Sequence, residues 1–227
     1  CSKFFPKSKS KQDDFYLFSA EDAGGAADWI EDVVCQRIPE TFGYDALRQI
    51  QVLAPMYRGP AGVTLLNQRL QEALNPASPR KAEKALYGQT FRPGDKVMQT
   101  QNDYDKKVYN GDIGYVKALD MVEHALHIDF EGRLIEYDWS EADQLMLAYA
   151  VTVHKAQGSE FPVVVMPIVT GHYIMLQRNL LYTAITRARN LCVLVGNRRA
   201  ISIAVHNNKV AQRYSALDWR LGKAGKI

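Results

Sequence analysis

The chain has 227 residues, a formal net charge of +3, 47% hydrophobic and 23% charged residues. Such a composition supports a packed core, so disorder is not the default expectation, and no run of about 18 apolar residues offers a membrane span. Cys1, Cys35 and Cys192 lie far apart, with neither metal-ligand spacing nor a disulfide framework, so a reducing, cytoplasmic setting is expected.

The predicted elements run as follows. Residues 1–14 carry lysines without an apolar stretch behind them, so they read as a linker or a cut end rather than a secretory signal. Phe15–Phe18 has the length and composition of a strand. Trp29, Ile30, Val33 and Val34 fall at helical spacing within residues 21–37. Ile50–Ala54 is an apolar run of strand length, ended by Pro55. Val63, Leu66, Leu70 and Leu74 mark a second helix that stops at Asn75-Pro76. Strand, helix, strand, helix predicts a parallel sheet with crossover helices.

The period changes near residue 90. Asp95–Thr100, Ile113–Lys117, Ala125–Phe130 and Leu134–Asp138 alternate like short strands, and Asn110-Gly111 and Glu131-Gly132 read as hairpin turns. Residues 90–144 are therefore expected to form a small antiparallel barrel inserted into one α/β domain, built from 15–89 and 145–227. The α/β pattern resumes with a buried strand at Val163–Met166, a helix at Asn179–Ala188, a strand at Leu191–Val195 and helical patterning from about 198. Charge follows the same division. Residues 90–139 carry net −4 and residues 140–227 net +7. A basic last third suits a phosphate-bearing partner, and equally a solvated basic surface.

Three segments hold the polar groups that chemistry needs. Arg58, in Pro55-Met-Tyr-Arg-Gly59, sits on the loop after a predicted strand, where sites form in parallel sheets, and its forked guanidinium suits a phosphate. A surface arginine beside a turn is the plainer reading. Thr152, His154, Lys155, Gly158 and Glu160 are packed between two apolar runs. A helix opening near Thr152 would present free N–H groups to an anion, Gly158 permits an unusual conformation or a close approach, and Glu160 can accept from a ribose hydroxyl. For His154 a structural hydrogen bond is the alternative. Arg187 and Arg189 follow an apolar helix face, where a fixed cation can stabilise a transferring phosphoryl group or simply face solvent.

In this order the segments resemble one family. Pro55–Gly59, Tyr149–Phe161 and Leu181–Arg189 are similar to motifs IV, V and VI of superfamily 1 helicases. Phe91–Met98 and Tyr109–Gly114 resemble the SH3-like barrel inserted in RecD-like members. The resemblance covers residues 15–200. It implies a RecA-like parallel sheet with helices on both faces, the second of two motor domains. ATP and Mg²⁺ would be held in the cleft between those domains, and single-stranded DNA would pass across both. By resemblance Arg58 and Arg187 converge on the γ-phosphate as arginine fingers, Gly158 and Glu160 lie at the nucleotide, and Thr152, His154 and Lys155 face the DNA backbone, with 5′ to 3′ translocation. The 227 residues contain neither a Walker A sequence, G-x-x-x-x-G-K-[ST], nor a matching Walker B. The chain is thus expected to be inactive alone, the later half of a longer protein that partners a missing N-terminal RecA-like domain and other DNA-repair proteins. A non-catalytic nucleic-acid-binding or adaptor module that kept the fold is the alternative. No metal site is expected, and the lack of a carboxylate cluster argues against a nuclease.

Overall fold

The computed structural model describes residues 14–208, which leaves the expected linker up to residue 13, and 209–227, outside the description. The described chain opens with β1 (Phe15–Ser19), α1 (Ala23–Asp32), a wider helical turn (Val33–Arg37), α2 (Ile38–Phe42), β2 (Ile50–Ala54) and α3 (Val63–Leu74). Short strands follow: β3 (Lys84–Leu86), β4 (Gln89–Phe91), β5 (Lys96–Gln99), β6 (Ile113–Asp120), β7 (Ala125–Phe130), β8 (Arg133–Asp138) and β9 (Leu145–Leu147). Then come β10 (Ala150–Thr152), β11 (Phe161–Ile168), α4 (Arg178–Ile185), β12 (Ala188–Gly196) and α5 (Arg198–His206).

The helical register set by Asp22, whose carboxylate accepts from Gly25 N–H at 2.8 Å, runs past the expected end at residue 37. Pro39 does not stop it. The wide turn at Val33–Arg37 absorbs the irregularity, and Pro39 sits in the first turn of α2, where no donor is needed.

β1, β12, β11, β2 and β10, in that order, form a wholly parallel sheet. Its central strands are apolar on both sides because each face is covered. Val163 and Val165 of β11, with Val193 and Val195 of β12, join the core beneath α1 and α3. Val164, Met166, Cys192 and Leu194 join a second core beneath α4 and α5. Period-two alternation thus divides a continuous apolar run between two layers of helices. Burial pushes the Cys192 thiol up to about 12. Half-buried Cys35 is raised to about 11 by burial and by Glu31 and Asp32.

A second, antiparallel sheet has the order β8-β7-β6-β5-β9. Glu131-Gly132 closes the β7–β8 hairpin as its sequence suggests, with Phe130 paired to Arg133. Asn110-Gly111 does not join β5 directly to β6. Asp103 and Val108 first pair with each other at 2.8 and 3.0 Å, so the connection is a separate loop over residues 100–112. The unit also runs past residue 144, since Val97 of β5 pairs with Leu147 of β9, and an unforeseen β3–β4 hairpin precedes it.

Buried amides splice the two units. Asn67 (5% exposed) donates from Nδ2 to the carbonyls of Leu147 (3.1 Å) and Ala150 (2.9 Å) and accepts from Ala150 N–H (2.8 Å). It thereby closes the free edge of β10. The Asp95 carboxylate accepts from Gln71 Nε2, Asn75 Nδ2 and Arg92 N–H, all at 2.7 Å, and from the Tyr149 hydroxyl at 2.8 Å. Lys96, 2% exposed, donates across the seam to the Ile50 carbonyl at 3.2 Å.

Candidate functional site

The polar residues singled out in the sequence gather at two edges of the parallel sheet. Ladder register sets the distance between those edges. Val52 pairs with Val165, so the end of β2 at Ala54 stands level with Pro167. Phe161, at the start of β11, pairs with Ala188, at the start of β12. Six residues of strand separate the two levels, about 20 Å at 3.3 Å per residue.

Arg187 stands at the lower edge. It does not lie on a helix as expected. α4 ends at Ile185, Arg187 N–H donates to the Ala184 carbonyl at 3.2 Å, and the Arg187 carbonyl already accepts from Phe161 N–H at 2.8 Å. The turn is therefore pinned between helix and sheet. Its guanidinium points at the end of the 153–160 loop, where Nη1 donates to the Ser159 carbonyl at 3.1 Å. Nε is buried and has no acceptor among the described residues. Gly158 makes this loop end possible through conformation. Its φ is +89°, and a β-carbon there would meet nothing within 4 Å, so close approach is not the reason for glycine. Glu160 is exposed and pairs with Arg189, Nε to Oε2 at 2.9 Å.

Arg58 stands at the other edge, on the loop leaving the carboxyl end of β2. It is exposed and makes no hydrogen bond or ion pair among the described residues. The loop folds back over α3, and the Met56 and Tyr57 carbonyls accept from Val63 and Thr64 N–H at 3.0 and 3.1 Å. Arg58 and Arg187 thus flank opposite ends of the strands next to them, and no hydrogen bond or ion pair joins the two in this structure.

Arg58 instead shares its edge with Thr152, which pairs with Ala54, and with His154 and Lys155 beyond it. No helix opens at Thr152. Residues 153–160 descend through turns, with Ala156 N–H donating to the Thr152 carbonyl, Gln157 to His154 and Ser159 to Ala156, each at 3.2 Å. Eight residues must cross about 20 Å from the top of β10 to the bottom of β11, whereas eight α-helical residues rise only about 12 Å. Thr152 is buried and its hydroxyl accepts from Lys155 N–H at 3.2 Å, so it shapes the loop. His154 and Gln157 are exposed and open onto a cavity of about 210 Å³ walled by Met175 and Asn179. Lys155 Nζ bridges to the barrel at the Asn110 side chain (3.2 Å) and the Thr100 carbonyl (3.4 Å). Among the described residues no group of metal-ligating side chains forms, and no helix is long and apolar enough to cross a membrane.

The sequence reading missed the splice. Its signal was present in the four-residue spacing of Asn67, Gln71 and Asn75, which puts two amides on one stripe of α3 and the third at its C-cap. An amphipathic helix with a polar stripe beside its apolar one is covered on both.

Residues 66–130 match the family model described as the SH3 domain of the ATP-dependent RecD-like DNA helicases, and residues 147–195 match the UvrD-like helicase C-terminal domain. The ATP-dependent RecD2 DNA helicase of Deinococcus radiodurans is 41% identical over 169 residues, 74% of this chain and 23% of that protein. The RecD subunit of the RecBCD enzyme of Mycolicibacterium smegmatis is 32% identical over 183 residues, 79% of this chain and 30% of that one. The chain thus spans less than a third of either relative's length. Among solved structures, a chain of Pif1 helicases at forked DNA aligns over 92% of this chain and 53% of its own, with 19% identity and a TM-score of 0.49. On the two family models and the RecD relatives, the chain belongs to the RecD-like helicases of superfamily 1, of which it carries the SH3 unit and the UvrD-like C-terminal domain.

Proposed function

We propose that this chain is the second motor domain of an ATP-dependent 5′ to 3′ DNA helicase, with its two functions on opposite edges of one sheet. The lower edge, with Arg187, Gly158 and Glu160, completes a nucleotide site whose phosphate-binding loop belongs to a first domain. The upper edge, with Arg58, His154 and Lys155, runs along the phosphates of a single strand. Phosphate contacts position a strand without reading it, which suits a motor that must pass any base.

The observation that carries this reading is the state of Arg187. Its guanidinium is aimed and held by Ser159, yet Nε has no acceptor. A buried donor without a partner costs about 1–3 kcal/mol, so the guanidinium is short of acceptors, and its outer Nη groups, bonded only to the Ser159 carbonyl and Thr186 Oγ1, have N–H donors left for phosphate oxygens. Bound ATP with Mg²⁺ would supply the transferable phosphoryl group. Arg187 would place fixed positive charge where its oxygens gain negative charge, with no reorganisation at the moment of transfer. Gly158 turns the backbone so that the Ser159 carbonyl faces Arg187. Release of Glu160 from Arg189 would free a carboxylate for a ribose hydroxyl.

The test uses the intact protein with its first motor domain. Arg187→Ala is expected to lower ATP turnover by roughly 10³-fold or more while leaving single-strand affinity within about twofold. Arg58→Ala should do the reverse, weakening strand binding and reducing its salt slope by about one while turnover at saturating DNA persists. Near-normal turnover in Arg187→Ala would remove the lower-edge assignment.

A further inference from the structure

Past Ile168 the chain leaves the carboxyl end of β11 at the upper edge and makes a kinked 3₁₀ turn, Thr170–Met175, before α4. α5 braces this turn at both ends. Asn197 N–H, just before α5, donates to the Ile168 carbonyl at 3.1 Å. Just after α5, the Asn207 carbonyl accepts from Arg178 N–H at 3.0 Å, and Asn207 Nδ2 donates to the Leu176 carbonyl at 2.8 Å. Between these ties His172 is 3% exposed and Leu176 is buried, whereas Tyr173 is 65% exposed and Ile174 82%. The Tyr173 hydroxyl makes no hydrogen bond among the described residues. A ring and a branched aliphatic chain are thus held out from a fixed backbone. Met175, the next residue, walls the cavity onto which His154 and Gln157 open.

We propose that bases of the bound single strand pack on Tyr173 and Ile174, whatever their identity. This inference rests on the proposal that a strand runs along the upper edge. Its own support is the company that the tip keeps. The segments that leave that edge after β2, β10, β11 and β12 carry Arg58, His154, Lys155, Arg198 and Arg199, and no carboxylate as far as Gln157, Arg178 and Arg199. Residues 161–208 hold five arginines and not one Asp or Glu. Arg198 and Arg199, in the first turn of α5, are exposed and have no ion-pair partner among the described residues. Carboxylates reach this edge only at Glu21 and Asp22, after the outermost strand β1, and Asp22 caps α1. Apolar surface among unpaired cations fits a polyanion that also bears apolar faces, which describes a single strand. Stacking on a tyrosine ring is open to every base, because each has a π face, so the contact adds affinity without reading sequence. The braced backbone lowers its cost, since little loop freedom is lost on contact.

The test uses the intact protein with its first motor domain and measures strand binding by fluorescence anisotropy. Dye-labelled oligo(dT) is compared with a strand of equal length and charge whose central residues are abasic, and the ratio of the two affinities is read in each variant. Tyr173→Ala is expected to weaken oligo(dT) about tenfold and the abasic strand little, so the ratio falls by that factor. The salt slope should not change, because no phosphate contact is lost. Tyr173→Phe keeps the ring and should keep the ratio. Tyr173 is exposed, so melting temperatures should stay within a degree or two and report intact folding. A strand containing 5-iododeoxyuridine should photocrosslink to Tyr173, mapped by mass spectrometry. Arg58→Ala, run alongside, separates the two readings. If it weakens binding while Tyr173→Ala keeps the full ratio, the base contact is overturned and the strand reading stands. If both variants bind the strand as tightly as the unaltered protein, both readings fall. An unchanged ratio with a lowered melting temperature in Tyr173→Ala would assign the tip to a contact with the first motor domain, and would likewise overturn the base contact.

Discussion

Replacing Asn67 with leucine tests the splice between the inserted barrel and the motor fold at one buried point. The leucine fills a similar volume, so little cavity forms. Three hydrogen bonds disappear, two from Nδ2 to the Leu147 and Ala150 carbonyls and one from Ala150 N–H to Oδ1. The stranded N–H is the costly group, because carbonyl oxygens tolerate undersatisfaction better. With about 1–3 kcal/mol for the donor and less for each acceptor, the loss should be about 3 kcal/mol. For a domain of this size that lowers the melting temperature by roughly 6–12 °C. Two measurements follow, thermal unfolding by circular dichroism and amide exchange across residues 149–156. The exchange should accelerate at Ala150 first, since β10 has only β2 on its other side. A loss below 1 kcal/mol, with exchange at Ala150 unchanged, would mean that water replaces the amide at no cost, and the splice would not be what orders the 153–160 loop.

Two further outcomes are expected from the core. Burial holds the Lys96 amine down to about 7 from 10.5, with Asp45 opposing the shift, so below pH 7 the fold must bury an ammonium. Between pH 7 and 10.5 the unfolded chain keeps a proton that the folded chain has released, so stability rises with pH by up to about 1.4 kcal/mol per unit; Lys96→Met should abolish that slope in urea titrations and stabilise the protein at pH 6. A slope retained in Lys96→Met would assign it to another group. At Gly196 a β-carbon would lie 1.7 Å from the Ile168 carbonyl oxygen, backbone against backbone. Gly196→Ala should therefore cost about 3 kcal/mol in urea denaturation, and a change under 1 kcal/mol would show that the strand ends can part freely.

The regular elements were legible in the sequence where local periodicity was strong. Ile50–Ala54, Val63–Leu74 and Ala125–Phe130 form over the residues that their patterns mark. Each buries one stripe or one face, so spacing alone carries the information. Short elements were not legible. β9 and β10 have three residues each, too few for a period, and exist because β5 and β2 offer them partners.

The sequence by itself determined the chemistry available: which arginines, which carboxylates, which glycine, and the motif order that gives the family. It did not determine which of them meet. Arg58 and Arg187 look equivalent along the chain, both following apolar runs beside a turn. Parallel pairing puts one after the end of a strand and the other before the start of one, and that difference amounts to the height of the sheet. Only tertiary structure decides it, because the distance between two loops depends on strand direction and register, which are set by long-range hydrogen bonds and leave no mark on the residues of the loops themselves.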